Sequence, residues 1–191
     1  MITDQTSAEE YREIAGRFTR LVDAVPDDQT WARPAPPEGW NARDVVRHLV
    51  TWFPGLLYDG AGLTLPVGPD IDEDPVGAWR SFSDAVQAVL DDPANNGRAF
   101  SHPRIGDLPL TTAVSRYFTA DVFLHTWDLA RATGQDETLD PQRCAAMLEG
   151  MQPLDEVLRA SGQYGPRVVV PADADPQTKL LAFIGRDPLA F

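Results

Sequence analysis

Four stretches of the chain carry apolar residues at helical spacing, and between them lie runs rich in proline, glycine and aspartate. This alternation constrains the fold more than any other feature. An amphipathic helix must bury its apolar stripe, and the simplest partner is another such helix. In the first stretch, Ser7 to Val25, the residues Tyr11, Ile14, Ala15, Phe18, Leu21, Val22 and Val25 recur at helical spacing. Ser7 followed by Glu10 reads as a capping box, and Pro26-Asp27-Asp28 ends the segment. The second starts at Asn41 as N-cap, with Asp44 at the third helical position, and carries Val45, Val46, His48, Leu49, Trp52 and Phe53. Pro54 is expected to kink it or to end it at the preceding residue. The third runs from Pro75 to Leu90, with Val76, Trp79, Phe82, Val86 and Val89 inward. The fourth and longest runs from Thr111 to Thr133, where Gly134 is a natural stop.

The connections are long. Thr30 to Trp40 holds Pro34, Pro36, Pro37 and Gly39 and reads as a loop, pinned to the core by Trp31 and Trp40. Asp59 to Asp74 and Asp91 to Pro109 read as irregular segments. A fifth helix is expected from Pro141 to Ala160, with Pro153 near its middle, then a tail with Arg167-Val168-Val169-Val170 and a short helix from Gln177 to Ile184. There is no internal repeat, no low-complexity segment and no linker between two cores. The expectation is therefore a single domain over residues 1–191, long enough to bury a real core. Its fold class is all-α: a four-helix bundle with long connections and a short extra C-terminal segment. Bundles commonly build metal sites from side chains facing their interior, and long loops at one end would shape a substrate mouth.

A formal charge of −13 argues against nucleic acid and against an anionic membrane as partners, since no cationic surface is present to displace counterions. Cys144 is the only cysteine, which rules out an intrachain disulfide. No window approaches the roughly 18 apolar residues of a membrane span, and no signal peptide is visible. A cytoplasmic protein is expected. Self-association is left open, a homodimer included.

The chemistry concentrates in Asp121 and His125. Four helical residues advance about 400°, so both side chains leave one face about a turn apart and can bind one metal ion. The alternative is an ordinary ion pair on a solvated face. Phe118, Val122, Leu129 and Ala132 surround the pair, which argues for the buried stripe. His48, flanked by Val45, Leu49 and Trp52, would add a second nitrogen and leave coordination positions open. Its plainer reading is a helical pair with Asp44. Asp128 could hydrogen-bond an imidazole behind the metal, or pair with Arg131 or Arg47. His102, between Ser101 and Pro103, reads first as a surface residue and second as an extra ligand. Cys144 reads as a structural thiol, having no adjacent base. No phosphate loop, nucleophile elbow or H-E-x-x-H motif occurs.

The stretches Gly39 to Val50 and Asp121 to Gly134 resemble the mycothiol-dependent maleylpyruvate isomerase N-terminal domain family, part of the DinB-like group of metal-binding four-helix bundles. Ser161-Gly162-Gln163-Tyr164-Gly165-Pro166 and Gly185-Arg186-Asp187-Pro188 resemble one subgroup of it. The resemblance implies a divalent metal, typically zinc with nickel or iron as alternatives, held at the positions of His48, Asp121 and His125. The isomerase has Glu where this chain has Asp121, one methylene shorter, and an additional C-terminal domain that this sequence lacks. Maleylpyruvate isomerisation itself is therefore not the expectation. What the resemblance implies instead is a thiol-using transferase or isomerase, with mycothiol as cosubstrate and a small electrophile as its second partner. A metal-dependent hydrolase, or a non-catalytic bundle that binds metal or a small molecule, are the alternatives.

Overall fold

Thr6, one residue earlier than expected, caps the first helix. Its side chain accepts from Glu9 N, and Glu9 reaches back to Thr6 N, so the capping box is Thr6/Glu9 and not Ser7/Glu10. The computed structural model of the chain describes residues 5–189, and over them the fold is an all-α, DinB-like bundle with one small hairpin. Four elements make the bundle: α1 (Ser7–Asp23), α3 (Ala42–Ala61), α4 (Pro75–Asp91) and α6 (Ala120–Thr133). A single turn, α2 (Asp28–Trp31), interrupts the first expected loop and buries Trp31. Around the bundle α1 packs against α4 and α6, and α3 packs against the same two helices. The site described below depends on the α3–α6 contact.

Pro54 does not end α3. The helix continues through it to Ala61 and stops at Gly62, whose φ of 65° is the left-handed C-terminal conformation. Proline here removes a single backbone bond from a helix held by its buried face of Val45, Val46, Leu49, Phe53 and Leu57. Tertiary packing overrides the local breaker.

The expected loop from Asp91 to Pro109 contains an antiparallel hairpin, β1 (Ala99–His102) and β2 (Gly106–Pro109), with Phe100 opposite Leu108. Phe100 is buried against α3, where Gly60 leaves room for its ring. The fourth helical stretch is not uniform. A turn of helix, α5 (Leu110–Ala113), leads into a π-helical segment over Val114–Thr119 and then into α6. The π segment carries Phe118, fully buried, whose ring stacks on Phe53 of α3 at 4.3 Å and meets Phe82 of α4 edge-on at 5.5 Å. Tyr11 of α1 lies 5.9 Å from the same ring. One aromatic thus joins four elements at the centre of the core, directly upstream of Asp121.

The fifth helix is broken at Pro153 into α7 (Pro141–Met151), a 3-10 turn (Gln152–Leu154) and α8 (Asp155–Ala160). After the tail, α9 (Pro176–Phe183) packs on α7, and the 167–170 segment is tied to it by Val168 N donating to Ala182 O at 3.0 Å. Among the described residues no helix is long and apolar enough to cross a membrane.

Candidate metal centre

The phase of α3 is set at its start. Asn41 accepts from Asp44 N at 3.0 Å and Asp44 accepts from Asn41 N at 3.0 Å, a reciprocal cap. Asp44 is thereby committed to the cap and to Arg47 at 3.3 Å, so the Asp44–His48 pair is not formed. With Val45, Val46 and Leu49 buried, His48 lies at the edge of the apolar face, towards α6. From α6, Asp121 and His125 project at the same level one turn apart.

The three side chains converge. His48 Nε2 is 3.0 Å from Asp121 Oδ2, and His125 Nε2 is 3.5 Å from Asp121 Oδ1. One donor atom from each of the three lies within 4.8 Å of the others. Around a tetrahedral zinc, with bonds of about 2.0–2.1 Å, neighbouring donors sit roughly 3.3 Å apart, so the two measured separations bracket the spacing a single ion needs. The His48 and Asp121 side chains are 30% and 22% exposed against 8% for His125, so solvent reaches the cluster past the first two.

The groups behind the cluster orient it. Asp128, fully buried, accepts from His125 Nδ1 at 2.8 Å. An ionised carboxylate can only accept, so Nδ1 carries a proton, and whenever the ring is neutral its Nε2 lone pair is turned towards Asp121. Burial opposes the Asp128 charge, but His125 and Arg186 outweigh it and hold its pKa below the usual carboxylate range. Arg186 donates to both Asp128 oxygens, at 2.9 Å each. The Asp128 partners expected from sequence, Arg131 and Arg47, are engaged elsewhere: Arg131 with Glu137, Arg47 with Asp44 and Asp72. For His125 itself, burial disfavours the charged ring, yet the charges of Asp121 and Asp128 overcome it and raise the pKa. Two acceptors, Nε2 and Oδ1, facing each other at 3.5 Å call for a cation between them, and this donor set fits a divalent metal as readily as a proton.

Two tryptophans complete the surroundings. Trp52 Nε1 donates to Asp121 Oδ2 at 2.9 Å and fixes the carboxylate. Trp40, expected only to anchor its loop, lies nearly parallel to the His125 ring at 5.7 Å and 16°, and 5.1 Å from His48. Tyr164 belongs to the same neighbourhood: its phenol is pushed up to about 12, first by burial and then by the charge of Asp121. His102 is not among the converging groups; in the hairpin its Nδ1 accepts from Arg104 N at 3.2 Å. Cys144 is buried in α7, and burial pushes its thiol up to about 11.

Residue type and helical spacing point to Asp121 and His125, and the family resemblance adds His48 as their third partner. Trp52, Trp40 and Arg186 were not read as site residues. The i, i+4 step from His48 to Trp52 was the one signal that could have found an indole there. For Arg186 the signal was the Gly185-Arg186-Asp187-Pro188 stretch of the family resemblance, which points to no partner and not to Asp128, 58 residues away.

Residues 11–130 match the family model described as the mycothiol maleylpyruvate isomerase N-terminal domain. The chain is also similar to uncharacterised proteins of Mycobacterium tuberculosis strains CDC 1551 and H37Rv. Each is 28% identical over 172 residues, covering 88% of this chain and 91% of the relative. No solved structure matches it.

Proposed function

Because the chain belongs to the mycothiol maleylpyruvate isomerase N-terminal domain family, we propose that it is a metal-dependent enzyme that joins a small thiol, of the mycothiol type, to a small electrophilic substrate. The net reaction is a thiol transfer, or an isomerisation where the thiol leaves again. The observation that carries the reading is the convergence of two imidazole nitrogens and one carboxylate to within 4.8 Å of one another, at a cluster that solvent reaches past His48 and Asp121. Zinc suits this borderline donor set; nickel and iron are accommodated by the same ligands.

When bound, a divalent ion here supplies a Lewis acid that lowers the pKa of a coordinated thiol and so favours thiolate at neutral pH. The chain's own residues do the rest. His48 and His125 contribute neutral Nε2 donors and Asp121 an anionic oxygen. Asp128 keeps the His125 proton on Nδ1, and Trp52 holds the Asp121 carboxylate in place. Trp40 covers the histidine rings with an apolar face and limits water on that side. The sulfur would bond to an electrophilic carbon as the π bond at that carbon opens, and the proton lost by the thiol to water at the exposed side would be matched by one that water returns to the adduct. Where the thiol leaves again, the sulfur–carbon bond breaks and the π bond re-forms. No protein nucleophile is needed, and the one cysteine is buried with its thiol up at about 11.

The test is a visible spectrum of the cobalt-substituted protein with and without a small thiol. A sulfur-to-metal charge-transfer band that appears with thiol and is absent in His48→Ala supports the reading. A spectrum unmoved by thiol overturns thiol use and favours a metal-dependent hydrolase instead.

A further inference from the structure

Asp128 is fully buried and faces His125 on one side and Arg186 on the other. Of these three residues, His125 and Asp128 lie in the stretch matched by the family model, whereas Arg186 lies beyond it, in the tail. The structure spends several features on placing that arginine. The end of α9 is a Schellman turn: Arg186 N donates to Leu181 O at 2.9 Å, and Gly185 N to Ala182 O at 3.2 Å, with Gly185 at φ 85°. A Cβ on Gly185 would stand 2.7 Å from Gly165 Cα, so the two loops of the tail meet backbone to backbone. Arg159 reinforces the same junction by donating to the carbonyls of Gly165 and Phe183. The Arg186 side chain then reaches inward, 16% exposed, and delivers its planar guanidinium to both oxygens of Asp128.

We propose that Arg186 is a positioning residue of the metal centre, through which the C-terminal tail sets the orientation of His125 by way of Asp128. A carboxylate with two oxygens can rotate about its χ2 axis and offer either one to the imidazole. The two-pronged contact with Arg186 removes that freedom and leaves Oδ2 aimed at Nδ1. It also gives the buried Asp128 carboxylate a charged, two-pronged hydrogen-bond partner in place of water. Lysine cannot reproduce the function, since a single ammonium holds one point and not a plane.

This inference rests on the metal-binding part of the proposed function, and the experiment keeps the two apart. Zinc affinity is measured by competition with a chromophoric chelator for wild type, His48→Ala, Arg186→Lys, Arg186→Gln and the pair Asp128→Asn with Arg186→Gln. Groups that orient metal ligands typically change affinity by roughly 10–100-fold, and a loss of that size is expected for Arg186→Gln, with Arg186→Lys between it and wild type. The paired variant removes both buried charges. It is the one to read if Arg186→Gln fails to fold, and it is expected to bind zinc more weakly than wild type. A second readout needs no metal: the Nδ1–H proton of His125 in the NMR spectrum of the metal-free protein, slow to exchange in wild type and broadened or lost in Arg186→Gln. Wild-type zinc affinity in the folded Arg186 variants, beside its loss in His48→Ala, would overturn the inference alone. Failure of wild type itself to bind zinc would overturn it together with the metal reading.

Discussion

At the scale of single residues, Trp52 does the most while looking the least like a site residue. Its indole N–H is the donor that holds Asp121 Oδ2, at 2.9 Å, while its ring lies 6.0 Å from that of His48. Trp52→Phe keeps an aromatic ring and removes the hydrogen bond. It is expected to weaken metal affinity roughly tenfold, with little change in the melting temperature of the metal-free protein, as read by chelator competition and calorimetry. Cys144 supports a different prediction. With its thiol at about 11 in the fold, against an ordinary value of 9.0, roughly a hundredfold less thiolate is present at pH 8 than in the unfolded chain. Burial slows the reaction further, so modification by a disulfide reagent at pH 8 should be at least that much slower in native than in denatured protein. Rapid native labelling would mean that α7 opens readily. Asp121 and His125 were legible as candidate ligands because helical spacing alone brings them to one face, whereas His48 as the third rested on the family resemblance. Arg186 was not legible, because a contact across 58 residues leaves no periodic trace.

At the scale of elements, the long helices followed from apolar periodicity, and the differences lie where packing overrules a local signal. Pro54 is carried inside α3 because the buried face on both sides of it holds the helix together. The hairpin within 99–109 escaped because its strands are four residues each and lack clean alternation. The π segment escaped because no residue type marks it, although its place one residue before α6 and beside the candidate ligands is typical of such turns. The two glycines of α3 allow a sharp comparison. A Cβ on Gly60 would lie 2.1 Å from the buried Phe100 ring, whereas one on Gly55 meets nothing within 4 Å. Gly60→Ala is expected to destabilise by about 1–3 kcal/mol through overpacking. Gly55→Ala is expected to stabilise by about 0.5–1 kcal/mol through helix propensity. Urea unfolding of both variants checks the pair, and equal effects would contradict the placement of the hairpin on α3.

At the scale of the whole molecule, the proposed metal centre lies between two bundle helices and is buttressed by the tail. A ligand that binds only the folded state stabilises all of it. Free metal at 100 times its dissociation constant contributes about 2.7 kcal/mol. For a chain of this size that raises the melting temperature by about 5–10 °C. We propose that residues 1–191 act as one domain, so calorimetry should show one transition that moves as a unit when metal is added and returns when a chelator removes it. Two transitions, only one of them metal-sensitive, would separate the tail from the bundle and contradict the coupling through Arg186.

The account stands or falls on whether His48, Asp121 and His125 hold a metal. The direct measurement is elemental analysis of the purified protein beside His48→Ala and His125→Ala, prepared identically and shown to be folded. Close to one equivalent of a divalent transition metal is expected in the unaltered protein and a small fraction of that in each variant. Equal metal content in all three, or none in any after incubation with zinc, would contradict it.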